Sequence, residues 1–354
     1  MKNWSYILLA AVLAFLSGCA KVETAPAPAA QVSFSVGSYS ARTKVSSLGD
    51  EGIASFRSRA FLHATGVAET QDFFGVEGET ITYQAPEWLP SHPYYWPKDD
   101  ASYINFVSWY DPAGNPTSLS ETSLKWTERA IAPTDNIMYA DEAWRFNGNK
   151  QVYTAVSGVS EGVPTLFHHA LARLNFTAIA KQLSATDGTT WEVQVDAITV
   201  NGAFGTGTLT LTNSDPGTAE TTKAWTTTGW TAKAGSQVTI QATGGPWTLT
   251  SREAGQDPVA LISNYTVLPQ TVTDNIALTI AYSVTTRYSA SEYIKESTSA
   301  TVKLNSFVST IDAWEMNKII TYNIVIDPAT DTIKFDPEMR NWEDISSVPD
   351  LVIE

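Results

Sequence analysis

Apolar residues recur at every second position along much of this chain. Val32, Phe34 and Val36 alternate with Ser33, Ser35 and Gly37. The same period runs through Ile104/Phe106, Trp191/Val193/Val195, Leu209/Leu211, Val238/Ile240 and Val302/Leu304. It is clearest in Ile276/Leu278/Ile280/Tyr282/Val284 and returns in Tyr322/Ile324/Ile326 and Ile333/Phe335. Successive side chains of a strand point to opposite faces, so this period predicts strands with one buried face. Turn-forming groups separate the runs: Asp111-Pro112, Asn201-Gly202, Asp215-Pro216-Gly217, Gly244-Gly245-Pro246 and Asp327-Pro328. Short strands at this spacing predict an all-β chain of β-sandwiches. One segment is ambiguous. In Leu166 to Ala180, Phe167, Ala170, Leu171 and Leu174 fit a helix face, while Leu166, Ala170, Ala172, Leu174, Phe176 and Ala178 share one strand parity. The β context around it favours a strand.

Composition agrees with this reading. Trp, Tyr and Phe are plentiful and only 17% of residues are charged, as expected for pleated, half-buried surfaces. The length suggests two domains, at roughly 150 residues each. The pattern places a flexible Ala/Pro/Thr-rich tether at 19–30, with Pro26 and Pro28. An N-terminal domain is expected at 31–163 and a C-terminal domain at 164–354, with Val163-Pro164 as the boundary. Ser38 to Gly52 is polar and contains Arg42 and Lys44.

The first eighteen residues carry one charge, Lys2, followed by an apolar run from Tyr6 to Leu16. That is the form of an export signal, too short for a stable membrane-spanning helix. Leu16-Ser17-Gly18-Cys19 resembles the lipobox of bacterial lipoproteins, which implies cleavage before Cys19 and lipid on its thiol. Each buried methylene of such a lipid contributes about 0.8 kcal/mol. Loss of residues 1–18 changes the formal charge from −15 to −16. An acidic surface of this kind disfavours nucleic acid. Cys19 is the only cysteine, which excludes a disulfide framework and a cysteine-ligated zinc.

The patterns that carry catalysis are absent. Gly202, Gly205 and Gly207 lack the spacing of a phosphate-binding loop, and no Gly-x-Ser-x-Gly elbow occurs. The acidic neighbours Asp99-Asp100, Asp141-Glu142 and Glu343-Asp344 read as solvated turns. The four histidines, including the adjacent His168 and His169, show no metal-ligand spacing. The expectation is therefore a chain with no enzyme activity, cofactor or metal. Trp225 and Trp230, in a Thr-rich stretch, together with Trp247, offer an alternative reading as a sugar-stacking platform of a surface glycan-binding lipoprotein.

Several phrases taken in order resemble the fimbrillin-like proteins, the type V pilins of Gram-negative anaerobes. They are Tyr94-Tyr95-Trp96-Pro97 with Tyr103-Ile104-Asn105-Phe106, Thr134-Asp135-Asn136-Ile137-Met138-Tyr139-Ala140, and Phe167-His168-His169-Ala170-Leu171-Ala172-Arg173-Leu174. Leu268-Pro269-Gln270, Trp314, Asn317, Tyr322-Asn323-Ile324 and Trp342 complete the series. The resemblance implies two transthyretin-like β-sandwich domains in series, and reads 166–180 as a strand opening the second. It implies a lipoprotein precursor at the outer membrane whose N-terminal strand, Val32, Phe34 and Val36, is cut away by a protease, so that the open groove accepts a neighbour's strand. Arg42 is the candidate cut, with Arg57 and Arg59 as alternatives. Leu351 and Ile353, sharing one strand parity in the tail, are the candidate donor residues. The partners implied are other pilin subunits and the outer membrane through the lipid, with host or bacterial surface ligands beyond them.

Overall fold

A computed structural model describes residues 30–38, 53–85, 87–148, 162–181, 188–214, 221–249, 257–306, 311–328 and 332–342. Cys19, Arg42, Leu351 and Ile353 lie outside the described residues. Among the described residues every regular element is a strand, apart from one residue of 3-10 turn at Trp342.

Up to residue 148 the strands are β1 (Phe34–Ser38), β2 (Ser55–His63), β3 (Gln71–Asp72), β4 (Glu79–Gln84), β5 (Glu87–Pro90), β6 (Tyr103–Tyr110), β7 (Ser118–Ser120), β8 (Ser123–Ala130), β9 (Met138–Ala140) and β10 (Glu142–Phe146). Around the middle come β11 (Val163–His169), β12 (Ala172–Ala180), β13 (Thr190–Phe204), β14 (Thr206–Thr212), β15 (Thr221–Lys223), β16 (Trp230–Ala232), β17 (Gln237–Gln241) and β18 (Trp247–Thr248). The chain continues through β19 (Val259–Val267), β20 (Gln270–Thr271), β21 (Ala277–Arg287), β22 (Tyr293–Lys303), β23 (Ala313–Trp314), β24 (Lys318–Asp327) and β25 (Thr332–Asn341).

The N-terminal strands pair in the order β6-β9-β11-β1-β5-β4-β2, and β2 pairs back onto β6. The seven strands therefore form a closed ring, which removes the free edges an open sheet would present. Its interior is filled by the inward residues of those strands, among them Phe34, Phe56, Ile81, Trp88, Ile104, Phe106 and Phe167.

In the C-terminal part, one sheet runs β19-β12-β24-β25 and the other β17-β13-β21-β22. Ala172, Leu174, Phe176 and Ala178 of β12 share a core with Val193, Val195, Ile198 and Val200 of β13 and with Leu278, Ile280 and Tyr282 of β21. The strand parity expected for 172–180 is the one that faces this core.

Three expectations from the sequence change here. The segment 166–180 is two strands on two sheets: β11 pairs with β1 and β9, whereas β12 pairs with β19 and β24. The chain crosses between units at Ala170-Leu171, where the buried parity switches from Val163, Thr165, Phe167 and His169 of β11 to Ala172, Leu174, Phe176 and Ala178 of β12. Asn201-Gly202 is not a hairpin turn but a bulge inside β13, where the register shifts between Val200 and Ala203. Gly202 sits at φ +89°, and a Cβ there would lie 2.0 Å from the Asn275 carbonyl oxygen, so only glycine fits the bulge. Sheet pairing also crosses the line drawn at 163/164. β14 pairs with β8, β15 with β10, and Trp126, Leu124, Leu209, Leu211 and Trp225 fill a third core between the two halves.

Candidate functional site

The strand nominated as a removable plug is an interior member of the closed ring. Alternation in Val32-Ser33-Phe34-Ser35-Val36 turns the three apolar side chains inward, and each is 0% exposed. Phe34 meets Phe56 and Phe106 edge-on, at 5.6 and 5.5 Å between ring centroids, and Phe74 at 6.4 Å. Aromatic contacts of this geometry add to the burial itself.

The backbone of this segment is bound on both sides. β1 runs parallel to β11, with Phe34 opposite Val163 and Ser38 opposite Phe167. On the other side Phe34 pairs with Trp88 of β5. Val163 N–H donates to the Ser33 carbonyl at 2.8 Å, Val32 N–H to the Tyr94 carbonyl at 2.8 Å, and Trp96 N–H to the Ala30 carbonyl at 3.0 Å. Gly162 allows the close approach at the start of β11. Its φ is +133°, and a Cβ there would lie 3.0 Å from the Phe34 carbonyl carbon.

A polar cluster fixes the Tyr94 end. Glu79, whose side chain is 8% exposed, accepts hydrogen bonds from the Ser91 hydroxyl and from the Tyr94 hydroxyl at 3.0 Å, with His92 at 3.3 Å. Burial pushes the carboxyl's pKa up, but the bonds from Ser91, Tyr94 and His92 and the charge of His92 outweigh it and hold it below its usual value. The same burial and the bond to Glu79 push Tyr94 up.

Burying a Val or Phe side chain contributes about 1.5–3 kcal/mol as an upper estimate. Three such residues contribute on the order of 5–9 kcal/mol, comparable with the whole stability of a domain. Loss of β1 would also expose the backbone edges of β11 and β5 beside an aromatic-lined cleft. Such an edge is a template for another strand.

The alternative cut sites do not fit. Arg57 and Arg59 lie within β2, where Arg57 pairs with Thr80 of β4 and Trp109 of β6, and Arg59 with Val107 of β6. Arg59 also holds Asp72 at 2.6 Å and the Leu119 carbonyl at 3.1 Å. A protease needs an exposed, extended segment, so a strand locked on both edges is set aside as a cleavage site.

The tryptophan platform does not form either. Trp225 is 8% exposed and donates its indole N–H to the Ala140 carbonyl at 2.8 Å. Trp230 donates to the Ala170 carbonyl at 2.6 Å. Both pack on the core between the two halves, while Trp247 packs on the C-terminal core. Trp225 is buried, Trp230 and Trp247 are half-buried, and the three pack on two different cores. Among the described residues no group of three His, Cys, Asp or Glu side chains is arranged to hold a metal.

What the sequence missed is the far side of the groove. Phe56, Phe74, Trp88, Phe106 and Phe167 come from segments spread over more than a hundred residues, and they share one core with Phe34 through strand pairing and, for Phe74, through the bend between β3 and β4.

No curated protein matches the chain by sequence. Among solved structures it is similar to a fimbrial protein from Bacteroides vulgatus, at 13% identity over 88% of this chain and 99% of that one, with a TM-score of 0.49. It is also similar to the fimbrial anchor protein Mfa2 from Porphyromonas gingivalis, at 10% identity over 88% and 98% of the two chains, with a TM-score of 0.25. The fimbrillin-like family model matches residues 60–342, most of the sequence, and the chain belongs to the fimbrillin-like family.

Proposed function

We propose that this chain is a structural or adhesive subunit of a surface fimbria, exported as a lipoprotein through Cys19 and assembled by exchange of its N-terminal strand. The observation that carries this reading is the position of β1. With Val32 just before it, it contributes three fully buried side chains to the ring, Val32, Phe34 and Val36, and the chain that joins it to β2 includes Arg42. After a cut there, β1 is held only by non-covalent contacts. The groove between β11 and β5 then takes a strand from another subunit, with Leu351 and Ile353 of a neighbour's tail as the candidate donor residues. Until then the lipid on Cys19 holds the precursor at the outer membrane. Its partners are other pilin subunits, and host or bacterial surfaces at the exposed end of the fibre.

Mass spectrometry of the mature N-terminus on cells tests this. A chain starting at Thr43 is expected in assembled fibres and one starting at lipidated Cys19 in the precursor. Fibres whose subunits all retain residues 19–42 would overturn strand exchange at this site.

A further inference from the structure

Strand exchange concerns the N-terminal ring, and the C-terminal unit has an open sheet edge of its own. β22 spans eleven residues and, among the described residues, pairs only with β21. That pairing runs from Ala277 opposite Lys303 to Arg287 opposite Tyr293 with no shift of register. An unpaired strand edge is a template for another strand, and proteins blunt such edges with short strands, bulges and prolines. The other outer strands of the described sheets are blunted in these ways. β3, β7, β15, β16, β18, β20 and β23 have two or three residues each, and β17 has five. β19 meets β12 with two breaks of register, and β25 carries Pro337. β22 has no proline, no glycine and no bulge.

The hydrogen bonds fix which groups face out. Leu304 N–H donates to the Ile276 carbonyl and Tyr288 N–H to the Glu292 carbonyl, both at 3.0 Å. Bonded and non-bonded pairs alternate along an antiparallel ladder. The even-numbered residues of β22 therefore bond to β21. Tyr293, Lys295, Ser297, Ser299, Thr301 and Lys303 aim their N–H and C=O groups at the open edge. On β25, Trp342 N–H donates to the Asn317 carbonyl and Lys318 lies opposite Asn341, which by the same alternation makes Pro337 an edge-facing residue. Its missing N–H interrupts that edge. β22 has no such gap.

The side chains of β22 are uncovered as well. Every residue from Tyr293 to Ser299 is exposed, with Tyr293 at 57% and Ile294 at 52%. Large exposed apolar side chains grouped in one place mark a contact surface. The strand is complementary to a copy of itself. Antiparallel pairing about Thr298 sets Ile294 opposite Val302 on one face and Tyr293 opposite Lys303 on the other. Glu296 then meets Ala300, Lys295 meets Thr301 and Ser297 meets Ser299, so no like charges are opposed. An ammonium beside a tyrosine ring is favourable, and Lys303 is already balanced by Asp274 at 3.2 Å. Pairing centred on Glu296 would instead set two carboxylates against each other.

We propose that β22 is an interface between copies of this chain, in which two β22 strands pair antiparallel about Thr298 and join their sheets across a two-fold axis. The pairing satisfies the edge-facing backbone groups of both strands and covers Ile294 with Val302 of the other copy. A contact that uses the same patch on both partners closes on itself and stops at two. The formal charge of −15 repels copies at long range, but that field is screened beyond about 8–10 Å at physiological salt. The interface uses no residue of the exchange groove, so it is tested on the uncut chain.

The experiment is sedimentation equilibrium of the full, uncut chain in physiological salt, from micromolar to millimolar concentration. A reversible monomer–dimer equilibrium is expected. Ser299→Pro removes one edge-facing N–H from each strand and leaves the bonds to β21 in place. The variant should keep the wild-type melting temperature and weaken the dimer about tenfold or more. Disulfide trapping tests the register without relying on that variant. With Cys19, the one native cysteine, replaced by serine, Thr298→Cys places two thiols opposite each other on the axis. Non-bonded pairs lie about 4.5 Å apart at Cα, within the reach of a disulfide, so mild oxidation should give a covalent dimer. Thr301→Cys in the same background sets the thiols six residues apart, about 20 Å at about 3.4 Å per residue, and should give none. A chain that stays monomeric at every concentration would overturn the proposal and leave the edge to a strand of another protein. A dimer that Ser299→Pro does not weaken, or equal cross-linking through Thr301→Cys, would overturn it too.

Discussion

The imidazole of His169 lies flat against the indole of Trp342, with ring centroids 4.0 Å apart and planes 3° from parallel. The guanidinium of Arg173 lies 4.1 Å from the centroid of the same indole. His169 ends β11 in the N-terminal ring, Arg173 lies near the start of β12 in the C-terminal sheet, and Trp342 follows β25. One buried indole is thus gripped from both units at the point where the chain crosses between them.

This contact should make the junction sensitive to acid. His169 Nδ1 lies 2.8 Å from the Asn136 side-chain oxygen. Burial, and then the charge of neighbouring His168, push its pKa down from 6.5 to about 3. The unfolded chain therefore takes up this proton first. The stabilisation is complete above about pH 6.5 and is lost as the pH falls towards 3, at about 1.4 kcal/mol per pH unit. Urea unfolding at pH 6.5 and pH 5 should differ by about 2 kcal/mol from this group. His169→Gln should remove most of that difference, and equal losses in both proteins would refute the assignment.

The bulge in β13 gives a backbone prediction. Gly202→Ala would place a methyl 2.0 Å from the Asn275 carbonyl oxygen at φ +89°, and the neighbour is backbone that cannot turn aside. A loss of about 2–4 kcal/mol is expected, combining strain of about 1–3 kcal/mol with the overlap. Thermal unfolding measures it, and a change below about 0.5 kcal/mol would mean the bulge relaxes freely.

The limits of the sequence reading follow from what alternation encodes. It identified the buried parity of β12, β21 and β24, because a period of two depends only on which face is dry. It could not tell which strand lies alongside. The parallel pairing of β1 with β11 brings Phe34 opposite Val163 across more than a hundred residues, and nothing local specifies it. The crossing at Ala170-Leu171 is marked locally only by a switch of the buried positions from odd in β11 to even in β12. Trp225 and Trp230 were ambiguous because an indole has an apolar body and one N–H. It satisfies a surface or an interior equally, and only the carbonyls of Ala140 and Ala170 decide for the interior.

Phe34 is a central packing residue of the N-terminal ring. It is 0% exposed and touches three aromatic rings from β2, β6 and the segment before β4. Phe34→Ala in the uncut chain should cost about 3–5 kcal/mol, the range for phenylalanine removed from a packed core. Urea unfolding with a tryptophan fluorescence readout measures it. A cost below about 1 kcal/mol would mean that β1 is not an integral member of the ring, and the groove it is proposed to leave would lose its physical basis.

Arg42→Ala separates the role of the strand from the role of the cut. The substitution lies between β1 and β2, so the uncut protein should unfold at the wild-type urea concentration. Arg57 is locked within β2 by pairing to β4 and β6, and Arg59 by pairing to β6 and by its bonds to Asp72 and the Leu119 carbonyl, so neither offers a substitute site while the ring is closed. The variant should therefore accumulate as a lipidated precursor beginning at Cys19, with Val32, Phe34 and Val36 still filling their own groove. Polymer ladders on denaturing gels, which require that groove to accept a neighbour, should be absent. Normal ladders from Arg42→Ala would exclude Arg42 as the cut. Ladders together with an N-terminus still at Cys19 would show assembly without removal of β1, and would refute strand exchange in this groove as a whole.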